Sequence, residues 1–209
     1  MIVVAIVVAL LGVALTADRV AVIRAQDRIA RQIQDRGFAA KPHVTIAGFP
    51  FLAQVAARRL DKVVISAAGK NLGPVEVKRL DLTLHGIRVS GRTASRFSGT
   101  ALVGVAGLAG LAGMPGLTLC ADGLDRVKIT VGLGPVSGTA TARVTRAGPG
   151  DIRIAVISAV GIPVAVLGPL RDITVPLPAL PPGVTIEDVS VTGQGVLVHL
   201  AGQNVSFGS

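Results

Sequence analysis

The sequence predicts an α+β fold that is mainly β, with a strongly curved or barrel-like antiparallel sheet and a few helices. Two observations predict it. Apolar and polar residues alternate in many short runs between residues 62 and 200, as strands with one buried face require. Turn signals rich in glycine and proline separate these runs. Many short strands with one apolar face need a second layer, which sheet curvature and packed helices would supply.

The alternating runs and the turns between them define the predicted strands. A phase slip near Arg79 predicts a bulge or bend within one of these runs. The runs are Val75 and Val77; Leu80, Leu82 and Leu84; Ile87 and Val89; Val127, Ile129, Val131 and Leu133; Ile152, Ile154 and Val156; Val189 and Val191; and Val196, Val198 and Leu200. The turn signals are Gly134-Pro135, Gly148-Pro149-Gly150, Pro181-Pro182-Gly183 and Gly193 to Gly195.

One uncharged segment, Thr100–Leu119, does not follow this alternation. Its length is compatible with a second transmembrane helix. Its glycines, spaced by three, and the break at Met114-Pro115-Gly116 lower both hydrophobicity and helix propensity. We therefore expect a short helix over residues 103–112 that packs on the sheet or closes its end.

Residues 1–17 carry no charge and almost no polar side chain. As a helix this run would be roughly 25 Å long, close to the ~30 Å hydrocarbon core of a bilayer. A signal peptidase site is not evident, since cleavage after Ala17 would place Leu15 where a small residue is needed. The run predicts an uncleaved N-terminal transmembrane anchor, with a signal segment as the alternative.

Residues 18–36 are predicted to continue as an amphipathic helix. Val22, Ala25 and Ile29 recur at helical spacing, and Gly37 is a typical C-terminal stop. The organisation is therefore a membrane anchor or signal segment over 1–17, this helix over 18–36, and a single β-rich domain over 37–209.

The orientation of the anchor is left open by the residues alone. Arginines follow the apolar run and none precedes it, so the positive-inside rule by itself would place the following domain in the cytoplasm. The rule weakens when a long domain follows, which leaves an exported domain as the other possibility.

Composition narrows the function classes. Half of the 209 residues are apolar, only 2% are aromatic, and the formal net charge is +9. Modules that bind nucleic acid by stacking place aromatic residues beside basic ones, and this chain has neither tryptophan nor tyrosine. The positive charge therefore argues for an anionic surface, such as lipid headgroups or acidic envelope polymers, rather than for nucleic acid.

The stretch His43–Gly69 carries the most distinctive local signal, a Gly48-Phe49-Pro50-Phe51 corner between two predicted strands. Gly48 permits backbone angles closed to other residues, and Pro50 fixes its own φ and keeps Phe49 extended. Two rings are thus presented at a fixed bend. They are either a core staple under the sheet or part of a cavity or lipid contact.

Residues that could bind a metal or take part in catalysis are scattered along the sequence. His43, His85 and His199 have no carboxylate or cysteine at metal-ligand spacing, so no metal or cofactor is expected. Cys120, the single cysteine, has no histidine pattern nearby and forms no intrachain disulfide. No catalytic residue is predicted, although Asp81 with His85, or Asp122 with Asp125, would be the pairs to converge in an enzyme.

Three stretches carry a resemblance to a known family. They are Val44-Thr45-Ile46-Ala47-Gly48-Phe49-Pro50-Phe51-Leu52, then Phe97-Ser98-Gly99-Thr100-Ala101, and Pro176-Leu177-Pro178 through Leu180-Pro181-Pro182-Gly183 to the strands ending at Val205. With these motifs the chain resembles the LmeA family of actinobacterial cell-envelope proteins, which bind phospholipid. The resemblance covers nearly the whole chain after the anchor.

The resemblance implies an elongated, strongly curved antiparallel sheet wrapped partly around helices, similar to tubular lipid-binding domains. It also implies a location on the outer, periplasmic or cell-wall side of the plasma membrane and a role in lipid or lipoglycan maintenance. The partners expected are an anionic phospholipid and the plasma membrane, which the N-terminal segment would enter.

The mechanism that fits is a groove that holds acyl chains, with a cationic rim for the phosphate. The predicted lipid-binding residues are Phe49, Pro50, Phe51 and Leu52 near the groove mouth or membrane, and Arg58, Arg59 and Lys62 at the headgroup. Two alternatives remain: a scaffolding envelope domain whose interior is filled by its own side chains, and an enzyme acting on envelope lipids or glycans.

Overall fold

The computed structural model describes residues 2–35, 37–72, 75–104, 117–133, 136–161, 171–177 and 180–207. These residues form two helices and eleven strands. The helices are α1 (Ile2–Gln34) and α2 (Phe51–Ala56). The first five strands are β1 (His43–Ala47), β2 (Arg59–Leu72), β3 (Val75–Arg88), β4 (Thr93–Val103) and β5 (Leu117–Ala121). They are followed by β6 (Arg126–Leu133), β7 (Val136–Arg146), β8 (Asp151–Val160), β9 (Asp172–Pro176), β10 (Val184–Thr192) and β11 (Gly195–Ser206).

The strands form two antiparallel sheets. The larger sheet has six strands in the order β1-β2-β3-β4-β11-β10, and the smaller has five in the order β5-β6-β7-β8-β9. The smaller sheet is a simple meander inserted between β4 and β10. The chain then returns through β10 and β11, and β11 pairs with β4 along almost its full length.

One face of the larger sheet, the inner face, is apolar on every strand. A row that illustrates this crosses the sheet through Ile65, Leu82, Gly99, Leu200 and Ile186. The opposite, outer face carries serine, threonine and charged residues, as in the neighbouring row Ser66, Asp81, Thr100, His199 and Asp188. This alternation is the period-two pattern read from the sequence.

Two elements cover the inner face. Helix α1 packs on β1 and β2 with a cluster that includes Val22, Val44 and Val63. The smaller sheet packs on β10 and β11 with a second cluster that includes Val144 and Ile186. Ile65 and Ile87 pack against both clusters, so the two cores are continuous across the sheet.

Loops of the smaller sheet also accept hydrogen bonds from backbone N–H groups on the free edge of β10. The Ile186 N–H donates to the Pro149 carbonyl at 2.7 Å, and the Val191 N–H donates to the Leu124 carbonyl at 2.6 Å. Arg146 donates from Nη1 to the Ile186 carbonyl at 3.1 Å. These bonds satisfy backbone groups that an open sheet edge would leave unpaired.

The strand alternation slips at two points in β3. A register shift between Val77 and Arg79 confirms the predicted irregularity in β3. The second slip lies near the β3–β4 turn, where Gly86 has a φ of +59°. Beyond it Ile87 and its partner Ala94 belong to the core, although strict alternation from Leu84 would turn them outward.

The structure corrects the predicted shape of the sheet. We expected one strongly curved sheet wrapped around helices, but there are two separate sheets that are not strongly curled, and α1 lies on a face rather than inside a tube. A single curved sheet was expected because the sequence shows one apolar face per strand without showing what covers it. The mainly β, antiparallel character with few helices is confirmed.

Two predicted segments fall wholly or partly outside the described residues. The short helix expected over residues 103–112 is one of them. The anchor over 1–17 forms the first half of α1, but the side chains of residues 1–11 are not described. Within the described part of the chain, no helix has the length and apolar character needed to cross a bilayer. The transmembrane anchor therefore stays a prediction.

The junction between the sheets gives a first testable prediction. Ile186 is fully buried there, so Ile186→Ala should lower the free energy of unfolding by about 2–5 kcal/mol, through lost burial and the cavity left behind. The matched control is Ile157→Ala, because Ile157 is exposed on β8. Urea unfolding of the full chain in mild detergent measures both. Equal losses for the two variants would contradict the described junction.

Candidate functional site

The corner after β1 separates its two rings. Phe51, the first residue of α2, is buried, with 6% of its surface exposed, and packs in the core under α1. Phe49, Leu52 and Val55 are 57%, 46% and 48% exposed. Pro50 is exposed as well, and the Phe49–Pro50 peptide is cis. The core staple and the exposed apolar contact predicted as alternatives are therefore both present, on different residues.

The corner is fastened to α1 by a buried carboxylate. Asp18 is 4% exposed, and its Oδ1 accepts the backbone N–H of Leu52 at 2.8 Å. Next to it, the guanidinium of Arg19 lies 5.8 Å from the centroid of the Phe49 ring, within cation–π range. Asp18 and Arg19 thus place the first turn of α2 against one point along α1.

The predicted cationic residues lie just beyond α2. Arg58 and Arg59 are exposed, and Arg58 takes a left-handed φ of 52° that turns the chain from α2 into β2. Lys62 is half-buried and pairs in register with His85 on β3. These three cations are therefore close to the corner, as the sequence spacing indicated.

Two further arginines join this end of the sheet. Arg88 is the register partner of Arg59, and Arg92 lies in the turn between β3 and β4. The Val89 N–H donates to the Arg58 carbonyl at 3.0 Å, which ties that turn to the start of β2. Sequence reasoning missed both arginines, because only the strand register brings residues about 30 positions apart to the same sheet end.

A groove runs along one flank of α1. Its volume is about 750 Å³, and its described lining combines apolar residues with cations. Ala21, Arg24, Ala25 and Arg28 follow each other at the i, i+3, i+4 and i+7 spacing that places residues on one helical stripe. Ala25 also packs against the core, so the groove borders the inner face of the larger sheet.

Some of the cations around this groove form ion pairs with a carboxylate, and others do not. Asp27 forms ion pairs with Arg31 and Lys41. Hydrogen bonds from Lys41 first and from Arg31 second hold the pKa of the Asp27 carboxyl below its usual value, so it is ionised at neutral pH. Arg24 and Arg28 have no carboxylate within 4 Å among the residues that the structure describes. The flank therefore keeps a net positive charge.

Between α1 and the smaller sheet, the middle of the inner face is less completely covered. Leu80, Leu82 and Ala101 on β3 and β4 are only half-buried. At Gly99, a Cβ atom would come within 2.6 Å of the Leu82 side chain, so glycine leaves space that Leu82 occupies. The sheet thus offers an aliphatic strip without polar side chains beside the cationic flank of the helix.

Of the two pairs named as enzyme candidates, Asp81 and His85 do not converge. Asp81 and His85 lie four residues apart on β3, which separates them by about 13 Å along an extended strand. Asp125 instead pairs with Arg143 at 3.0 Å and with Arg126 at 3.7 Å. A shallow polar depression of about 250 Å³ on the outer face is lined by Asp81, Thr83, Ser98, Thr100, Glu187 and His199. Among the described residues, no three metal-ligating side chains form a group.

The described residues thus combine an apolar sheet face, a groove with arginines on one helical stripe and an exposed apolar corner. The chain matches the sequence model of the LmeA-like phospholipid-binding family over residues 16–201, which is most of its length. The chain therefore belongs to this family, as the resemblance of its motifs predicted, and lipid binding is its family property. No curated protein and no solved structure matches it.

The Asp18 contact gives a second prediction. Asp18→Ala should lower the free energy of unfolding by about 1–3 kcal/mol, because it leaves the partly buried Leu52 N–H without its side-chain acceptor. Asp18→Asn keeps an acceptor oxygen and should recover part of the loss. Asp35→Ala removes an exposed carboxylate after the end of α1 and serves as the control. If Asp18→Ala costs no more than this control, Asp18 does not fasten α2 to α1.

Proposed function

We propose that this protein is a non-catalytic phospholipid-binding protein of the cell envelope. It holds a lipid against α1 and the inner face of the larger sheet. The observation that carries the proposal is the groove of about 750 Å³ along α1, in which Arg24 and Arg28 lie beside Ala21 and Ala25. Family membership supports the ligand class.

The groove supplies both kinds of contact that a phospholipid needs. Arg24 and Arg28 would each donate charge-assisted hydrogen bonds to phosphate oxygens, and the planar guanidinium suits bidentate contact. Ala25 and Ile29 continue into the core cluster under the helix. An acyl chain that follows them gains roughly 0.8 kcal/mol for each methylene removed from water. Aliphatic side chains accommodate such a chain without a fixed ring geometry.

The residues predicted from the sequence lie at one end of this arrangement. Phe49, Pro50 and Leu52 are exposed where α2 meets α1, and Arg58 and Arg59 lie beyond them. Phe51 instead supports this end from inside the core. In the proposed mechanism these residues, with Lys62, act where lipid enters from the membrane, whereas the α1 arginines hold its phosphate.

The cellular setting is part of the proposal. Residues 1–17 would anchor the chain in the plasma membrane, with the β domain on the outer side and a role in lipid or lipoglycan maintenance. The charge-free run supports the anchor, and the resemblance of the motifs to envelope proteins is the basis for the outer side. No nucleic acid, metal or cofactor takes part in the mechanism.

The headgroup contact gives a third prediction. The double variant Arg24→Gln/Arg28→Gln should bind anionic phospholipid about tenfold more weakly or worse, since a hydrogen bond to a charged group contributes roughly 1.5–3 kcal/mol and tenfold is 1.4 kcal/mol. Native mass spectrometry of the full chain, titrated with phosphatidylglycerol, measures the bound fraction. The control Arg79→Gln/Arg171→Gln removes the same charge at exposed positions outside the groove.

Two outcomes would count against the groove. If both double variants bind phosphatidylglycerol like the original chain, the arginine flank does not hold the headgroup. If both weaken to the same degree, net charge alone explains binding. A purified chain that carries no phospholipid and takes up none would favour the scaffolding alternative instead.

Asp27 gives a fourth prediction, in which the substitution strengthens phospholipid binding instead of weakening it. Because hydrogen bonds from Lys41 and Arg31 keep its pKa low, Asp27→Asn removes a full negative charge at neutral pH and releases Arg31 toward the groove. Anionic phospholipid should then bind several-fold more tightly, whereas phosphatidylcholine should change less. Asp172→Asn is the control, because Asp172 forms the same kind of ion pair with Arg153 on the smaller sheet. A gain that also appears in this control would show a general charge effect.

A further inference from the structure

The end of the larger sheet that carries α2 exposes four large apolar side chains. Phe49, Leu52 and Val55 extend from the corner, and Val89, 54% exposed, lies in the neighbouring β3–β4 turn. The hydrogen bond from the Val89 N–H to the Arg58 carbonyl connects these two segments. Single exposed apolar residues are ordinary, but a group at one end of a fold marks an interaction surface.

Cations from three separate segments surround these apolar residues. Arg19 comes from α1, Arg58 and Arg59 from the start of β2, and Arg88 and Arg92 from the β3–β4 turn. All five are exposed, and none has a carboxylate within 4 Å in the described part of the chain. We call the four apolar side chains and these five arginines the corner surface.

Helix α1 leaves the body of the protein at this same end. Asp18 is buried at the contact with Leu52, and residues 12–17 before it are exposed. The helix begins at residue 2, and its sequence before Asp18 carries no charge. The corner surface is therefore next to the most apolar segment of the chain, rather than at the opposite end of the sheet.

We infer that the corner surface docks on an anionic phospholipid bilayer. Phe49, Leu52, Val55 and Val89 enter the boundary between headgroups and acyl chains, and the surrounding arginines contact lipid phosphates. Apolar side chains with arginines at the same end of the sheet complement a surface that is anionic outside and apolar beneath. An adjoining charge-free helix fits the same partner. The inference rests on the proposed function for the choice of a membrane as the partner.

Depth measurements on the full chain test this docking separately from anchoring. In a Cys120→Ser background, which removes the exposed native thiol, an environment-sensitive fluorophore is attached through Val55→Cys, Val89→Cys or Leu124→Cys. Leu124 is the control: it is 81% exposed, and its carbonyl bonds Val191 near the opposite end of β10. The chains are reconstituted in vesicles of phosphatidylglycerol and phosphatidylcholine that contain nitroxide lipids.

We expect strong quenching by nitroxide lipids at positions 55 and 89 and weak quenching at 124, with the reverse order for iodide in the water phase. Quenching at 55 and 89 should fall at least twofold in Arg88→Gln/Arg92→Gln but not in Arg79→Gln/Arg171→Gln. If all three probes are equally open to iodide, the body does not dock, even if α1 anchors it. If the arginine variant keeps full quenching, the cationic part of the inference fails.

A measurement of the phospholipid bound by the purified chain distinguishes this inference from the proposed function. Arg88→Gln/Arg92→Gln should retain its bound phospholipid in native mass spectra, whereas Arg24→Gln/Arg28→Gln should lose it and still show quenching at Val55→Cys. If the chain without arginine substitutions carries no lipid but shows normal quenching, only the groove is overturned. If that chain carries lipid but shows no quenching, only the docking is overturned.

Discussion

The apolar inner face of the larger sheet is the constraint on which the rest of the structure depends. Six strands present aliphatic side chains to one side, and a face of that kind is stable only when other elements remove it from water. Helix α1 covers it over β1 and β2, and the smaller sheet covers it over β10 and β11. The half-buried strip at Leu80 and Leu82 lies between these two covers.

The position of α1 connects this packing to function. The same helix buries Val22 in the core, fixes α2 through Asp18, and presents Arg24 and Arg28 along the groove. Asp18 and Val22, four residues apart, share one side of the helix, and Arg24 and Arg28 share another, because an α-helix has 3.6 residues per turn. Fastening α1 at Asp18 therefore sets the corner and the groove in a constant relation to each other.

The strand positions could be predicted from the sequence to a large extent, because each strand has one apolar face and its turns contain glycine or proline. The bulge near Arg79 was readable as a phase slip. The spacing of three from Leu84 to Ile87 also recorded the second slip, but only the positive φ at Gly86 explains it. The division into two sheets was not predictable, since alternation shows that a face is buried without showing which element buries it.

The sequence predicted only those parts of the candidate site whose residues are close together along the chain. Phe49, Arg58 and Arg59 are close in sequence, and local spacing was enough to group them. Arg88 and Arg92 join them only through the register of β2 with β3. Arg24 and Arg28 could be read from the sequence as helical arginines. That they lack acidic partners could not, because Asp27 pairs with Arg31 and with Lys41, which is 14 residues away.

The most direct measurement of the central claim is photocrosslinking with a phosphatidylglycerol that carries a diazirine near its phosphate. The full chain is loaded with this lipid, irradiated and mapped by peptide mass spectrometry. The groove along α1 predicts crosslinks concentrated in residues 21–31. Crosslinks concentrated instead in the polar depression around Asp81 and His199, with none in α1, would contradict the account.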